Sequence, residues 1–191
     1  RESKEVSGRK HEWTGQPFLN LFYAQGKGNS FNDVTPFASN VQVKYNDGPV
    51  CFNKEGNEIY ITRNNMERGK IFKSSDQVIK LKIVHAIFEK NSWSEKTDFT
   101  YNDNNYNCAH PALSPDGQKL FFASDMPGGF GGMDLYVCKK DSGKWSKPVN
   151  MGDKINTGGN ELFPYLHDDG TFVFSSNGRD GLGGLDAFWC K

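Results

Sequence analysis

The chain repeats itself, and the repeat limits what it can become. Residues 110–139, "HPALSPDGQKLFFASDMPGGFGGMDLYVCK", and 163–191, "FPYLHDDGTFVFSSNGRDGLGGLDAFWCK", share an order of parts: turn motif, apolar run, glycine-rich stretch, second apolar run. Asp134 and Asp186, Trp93 and Trp145, and Leu81 and Met133 each stand 52 residues apart, and Pro111 and Pro164 stand 53 apart. One unit reads as four short strands, "PALS", "KLFFAS", "DLYVCK" and "WSKPVN", with "SPDG" and "DSGK" closing the first and third turns. Alternation bounded by Gly, Asp, Asn and Pro is a strand signal, and no segment sustains a 3.6-residue apolar period. Four strands in a unit of this length describe a β-propeller blade.

The expected fold is therefore all-β: a β-propeller with four-stranded blades of about 52 residues. Residues 1–36 read as a partial blade, 46–99 and 107–150 as whole blades, and 160–191 as a partial blade. Propellers close with about 4 to 8 blades, so this segment is expected to be an incomplete portion of a larger ring. Arg1 opens the chain without a methionine, signal peptide or lipidation cysteine, the pattern of an internal piece of a longer precursor. "PVCF", "PALS" and "PYLH" should be innermost strands, each opened by a proline: Pro49, Pro111, Pro164. Ile59, Ile61, Leu120, Phe122, Phe172 and Phe174 should pack between blades, with Tyr60, Phe121 and Val173 largely buried on the opposite faces.

Charge narrows the partners. With 23 basic and 23 acidic residues there is no global pull toward nucleic acid, and no run of about 18 apolar residues implies direct membrane insertion. The cysteines Cys138 and Cys190 occupy one slot in two repeats, 52 residues apart, on neighbouring blades too distant to bond. All four thiols are expected to be free and mostly buried.

Blade topology sorts the loops onto two faces. "NKEG", "SPDG" and "HDDG" share one, each placing Gly where positive φ is needed. The other carries "RNNMERGKIFKSSDQVIK", "DMPGGFGGM" and "NGRDGLGGL", with the interblade links "KYNDGP", "NNYNCAHP" and "INTGGNELFP", and any site should lie there. Gly131-Gly132 and Gly183-Gly184 invite a phosphate-loop reading, but a strand follows each rather than a helix N-terminus. Their expected role is to let the loop bend into the third strand, with Asp134 and Asp186 capping loop amides. No D-x-[DN]-x-[DN]-G spacing offers calcium its ligands, and the four histidines lack paired spacing for zinc. No metal or cofactor is expected. No G-x-S-x-G elbow is present, and "SPDG" lacks the residue that a sialidase-type Asp-box places between Asp and Gly. The loop from Arg63 to Lys80 holds five basic residues against Glu67 and Asp76, either a solvated loop or a basic rim for an acidic partner. The candidate partner contacts on this face are Arg63, Arg68, His110, Phe130, Glu161 and Arg179.

The repeat core, "HPALSPDGQKLFFASDMPGGFGGMDLYVCKK" with "WSKPVNMGDKINTGGNELFPYLHDDGTFVFSSNGRDGLGGLDAFW", resembles the TolB-type, WD-like propeller repeats of OmpA-family outer-membrane proteins of Bacteroidota. "RKHEWTGQPFLNLFYA" and "NDGPVCFNKEGNEIYITRNN" resemble preceding units of the same proteins, some of them associated with type IX secretion. The resemblance implies a periplasmic, outer-membrane-associated, lipoprotein-anchored scaffold that binds protein partners of the envelope and has no chemistry of its own. It implies peptidoglycan binding only through a domain that is not in this sequence. The competing class is a carbohydrate-binding or hydrolytic propeller enzyme using the central pocket, which would need a convergent acid, base and nucleophile.

Overall fold

The computed structural model describes residues 10, 15–38, 40, 41, 43, 45–67 and 69–191. Among them there is no helix. A hairpin comes first, β1 (Phe22–Lys27) with β2 (Ser30–Pro36). The first large sheet follows in the order β3 (Asp47–Phe52), β4 (Glu58–Asn64), β7 (Leu81–Glu89), β8 (Ser92–Asp98); a small hairpin, β5 (Met66–Glu67) with β6 (Lys70–Ile71), interrupts it. The second sheet runs β9 (Cys108–Leu113), β10 (Lys119–Ser124), β11 (Asp134–Asp141). Its outer edge is broken by Pro148 into β12 (Lys144–Trp145) and β13 (Val149–Asn150), both paired with β11. The third sheet is β14 (Glu161–Leu166), β15 (Phe172–Ser176), β16 (Asp186–Cys190).

Every pairing is antiparallel, and the first strands converge, β3 against β9 and β9 against β14. Three sheets fanned about their first strands form an incomplete β-propeller. The expected innermost strands hold, and "PALS" pairs with "KLFFAS" alone.

The fan is held by apolar side chains pointing from both faces of each middle strand. Leu120 and Phe122 of β10 pack toward the first sheet with Tyr60, Ile83, Phe99 and Cys108. Phe121, between them, packs the other way, against Phe172 and Phe174 of β15. Ile59 and Ile61 meet Leu21, Phe37 and Val41 on the far side of the first sheet. All these middle-strand side chains are buried, each contributing about 1.5–3 kcal/mol.

Val173 departs from the expectation. The cross-strand row Cys51–Tyr60–His85 of the first sheet is covered by the second, and Ala112–Phe121–Val137 by the third. The matching row Tyr165–Val173–Trp189 faces no further sheet among the described residues, so Val173 is only half-buried.

The prolines sit differently from the sequence reading. Pro49, Pro111 and Pro164 lie inside their strands, each with its preceding residue in a bulge that interrupts the register. The two residues of each bulge face one partner, which removes the need for a ladder N–H at proline. His110 and Phe163, the bulge residues before Pro111 and Pro164, take φ of 54° and 53°.

Candidate interaction face

One face of the fan is turns. Gly56, Gly117 and Gly170 take φ of 70°, 67° and 86° and donate N–H to the carbonyls of Asn53, Ser114 and His167. Short side chains close these turns: Lys119 N–H donates to Ser114 Oγ at 2.8 Å and Thr171 N–H to Asp169 Oδ1 at 2.8 Å. Such turns project little beyond the backbone.

The opposite face is built by a latch that recurs three times. An asparagine precedes each first strand: Asn46, Asn107, Asn160. Its Oδ1 accepts an N–H from the segment leading into the third strand of the preceding unit: Leu19 at 2.8 Å, Leu81 at 2.8 Å and Met133 at 3.0 Å. Its own N–H donates to the side chain following the second strand: Asn64 at 3.1 Å, Asp125, and Asn177 at 2.7 Å. A further bond runs Phe37 to Leu21, Phe99 to Ile83 and Met151 to Leu135. The β1–β2 hairpin thus makes the contacts that third and fourth strands make elsewhere. Each latch residue bridges adjacent sheets because its side-chain oxygen accepts from one unit while its backbone N–H donates within its own.

The glycine-rich loops ride on these latches. Asp134 accepts the N–H groups of Phe130 at 2.6 Å and Gly131 at 3.3 Å, and Asp186 accepts that of Gly183 at 3.2 Å, as expected of capping aspartates. The doublets have different reasons to be glycine. Gly183 and Gly184 take φ of 114° and 70° with open space where a Cβ would stand. Gly131 and Gly132 do not take positive φ; a Cβ on them would collide with the carbonyls of Thr157 and Gly159 and with Asn160 Oδ1, in the next interblade link. The first doublet exists for close approach, not for bending.

Each loop also holds an apolar side chain out. Phe130 is 53% exposed. Its mates at 52-residue spacing are Val78, 49% exposed, and Leu182, fully exposed. One projects from each sheet, on the same face. Scattered single exposures are ordinary, but three at one structural position in consecutive repeats make a pattern.

The six candidate contacts do not form one patch. Arg63 belongs to β4 and is buried: Nε donates to Asp47 Oδ1 at 2.7 Å, Nη1 to Glu95 at 2.7 Å and Nη2 to the Val41 carbonyl. Burial raises the Asp47 carboxyl above its ordinary range, against the opposing pull of Arg63. Glu161 is buried too, accepting from Thr157 N–H at 2.8 Å, Thr157 Oγ1 at 2.6 Å and Ser176 Oγ at 2.6 Å. Neither is presented to a partner, because first and second strands turn these side chains inward. Arg68 lies outside the described residues. Arg179 is half-buried; its Nη2 donates to the carbonyls of Lys154 at 2.6 Å and Ile155 at 3.0 Å while its guanidinium covers Phe174 and Phe188. His110 stacks on Phe163 with centroids 4.0 Å apart, its N–H donating to Thr62 Oγ1 at 2.8 Å, and burial lowers its imidazole to about 4. Among the described candidates, Phe130 alone is openly presented.

The basic rim shrinks for the same reason. Arg63 is internal, Lys80 reaches Asp76 at 3.7 Å and Asp125 at 3.9 Å, and Lys70 lies over the Phe72 ring at 5.3 Å. The loop is no solvated coil but carries the β5–β6 hairpin. All four cysteines are free; Cys108 and Cys138 are buried and Cys51 and Cys190 half-buried. Burial pushes Cys51, Cys108 and Cys138 up to about 12, which keeps them protonated thiols. No group of three or more His, Cys, Asp or Glu among the described residues could hold a metal ion.

Val78 and Leu182 were readable in the sequence by carrying Phe130 along the 52-residue period. The latch asparagines carried a weaker signal, an Asn three or four residues before each inner proline.

No protein-family model matches the chain, and no curated protein matches it. Among solved structures it is similar to TolB from Acinetobacter baumannii, at 15% identity and a TM-score of 0.45 over 77% of this chain. The chain spans 30% of that protein's length.

Proposed function

We propose that the chain is a non-catalytic protein-binding scaffold whose partner sits on the loop face. The observation that carries this reading is the set Val78, Phe130 and Leu182, an exposed apolar side chain at the same position of the second-to-third-strand loop in each sheet. The loops that carry Val78 and Phe130 are latched at both ends, and the Leu182 loop is held at Asn177 and by the Asp186 cap, so a partner meets a preorganised surface, which lowers the ordering cost of binding. Exposed aliphatic and aromatic tips gain by burial against a partner and gain nothing in water.

The setting follows from the sequence resemblance. The quoted repeat units look like the propellers of OmpA-family outer-membrane lipoproteins of Bacteroidota, PorE of the type IX secretion system among them. On that basis the scaffold works on the periplasmic side of the outer membrane and binds other envelope proteins of the secretion assembly.

The test is capture from an envelope extract by the immobilised parent chain and by a variant combining Phe130→Ala with Leu182→Ala, with circular dichroism to establish that both are folded. Partner recovery should fall by about tenfold or more, since two apolar anchors are lost. Equal recovery by parent and variant would contradict the assignment.

A further inference from the structure

Beside the β5–β6 hairpin a cavity of about 260 Å³ opens, lined by Asn65, Glu67, Phe72, Lys82, Asp98, Asn102, Asp103 and Asn104. It is shaped by the first sheet alone, from the loop after β4 and the link after β8, and is separate from the apolar loop tips. We infer that it binds a neutral, hydroxyl-rich ligand the size of one sugar ring.

The polar wall is held rigid before any ligand arrives. Lys82 is buried, and its Nζ donates to both carboxylate oxygens of Asp98, at 3.0 and 2.8 Å. Asn102 is locked to the backbone of Ile83, Oδ1 accepting N–H at 2.9 Å and Nδ2 donating to the carbonyl at 2.7 Å. Asn65 is buried, and its Nδ2 donates to Asn104 Oδ1 at 2.7 Å. That bond engages the Oδ1 of Asn104, which sits on an exposed loop, as acceptor and leaves its Nδ2 protons available as donors. Side chains locked in this way lose little entropy on binding.

The chemistry of the wall selects the ligand by exclusion. Three carboxylates, Glu67, Asp98 and Asp103, line the cavity with one ammonium, Lys82, which Asp98 already holds, so no cation is left over in the lining to bind a phosphate or carboxylate ligand. Phe72 is the one apolar lining residue, too little to hold an apolar ligand, whose pockets are mostly hydrophobic. The carboxylates do not converge as a cation site. What remains is a neutral molecule offering many O–H groups, each able to donate to a carboxylate and accept from an amide. A volume below the roughly 300 Å³ at which drug-sized pockets begin fits a single ring. Phe72 supplies the apolar part of the lining, against which the C–H groups of such a ring can pack.

The test uses the parent chain with glucose, galactose and N-acetylglucosamine as neutral probes and glucuronate as the anionic comparator, observed by NMR at the side-chain amides of Asn65 and Asn104. At least one neutral sugar should shift both amides with a dissociation constant on the order of 1 mM or below, with glucuronate about tenfold weaker. Asn104→Asp keeps the acceptor for Asn65 but removes the amide donors, and should weaken the sugar about tenfold. Phe72→Leu should do the same, while Leu182→Ala on the loop tips should leave sugar binding unchanged. No shift from any neutral sugar on the order of 10 mM, equal binding of glucuronate, or unaltered binding by Asn104→Asp would overturn the inference.

Discussion

At the scale of single residues, one slot shows how the repeat changes its chemistry while keeping its geometry. The first residue of each inner strand faces the last or next-to-last residue of the second: Asp47 faces Arg63, Cys108 faces Ser124, Glu161 faces Ser176. An ion pair, a thiol–hydroxyl contact at 3.9 Å and a carboxylate–hydroxyl bond at 2.6 Å fill the same buried place. Removing Arg63 strands a buried carboxylate, so Arg63→Ser should cost about 3–5 kcal/mol in urea denaturation. Asp47→Cys combined with Arg63→Ser, which copies the second sheet, should cost less than the single change. His110 adds a pH dependence whose sign is fixed by its depressed value. Its stabilising contribution is fully present above the unfolded value of about 6.5 and is lost as pH falls toward and through about 4. Phe163 N–H donates to the neutral ring at Nδ1, 3.4 Å away, and protonation abolishes that acceptor. Parent stability should therefore drop between pH 6.5 and 4 by up to about 3 kcal/mol more than that of His110→Gln.

At the scale of elements, strands and turns were legible and their joints were not. The period placed β4, β10 and β15 and the direction of nearly every large apolar side chain, because a two-residue alternation and a blade on each side leave little choice. Pro49, Pro111 and Pro164 marked the inner strands, but the sequence does not distinguish a proline that opens a strand from one inside a bulge. Both readings satisfy the missing N–H. Gly131-Gly132 and Gly183-Gly184 look alike in sequence and differ in cause, since close approach depends on a segment some 26 residues away, at Thr157 and Gly159. The latch asparagines hid among polar loop residues for the same reason: their partners are in the neighbouring unit. Asn107→Ala removes the acceptor of the Leu81 amide. It should destabilise the chain by about 1–3 kcal/mol and speed hydrogen exchange at Leu81 well beyond any change at Met133, whose acceptor is Asn160.

At the scale of the molecule, the two faces of the fan do different work. Tight turns seal one; latched loops with apolar tips form the other. Two of the charged candidates for partner contact, Arg63 and Glu161, are internal. Arg63 holds Asp47, Glu95 and the Val41 carbonyl, Glu161 holds Thr157 and Ser176, and Arg179 braces the link at Lys154 and Ile155, because polar groups buried between short strands must be hydrogen-bonded. The proposed partner surface rests instead on apolar exposure repeated at one structural position, Val78, Phe130 and Leu182. The most direct measurement is site-specific photocrosslinking in the native envelope, with a photoreactive amino acid placed in turn at positions 78, 130 and 182 on the loop face and at 55, 116 and 169 on the turn face. Adducts to the same envelope protein from the first three positions, with none from the second three, are the expected result. Adducts from 55, 116 and 169 with none from 78, 130 and 182 would place the partner on the turn face and contradict the account.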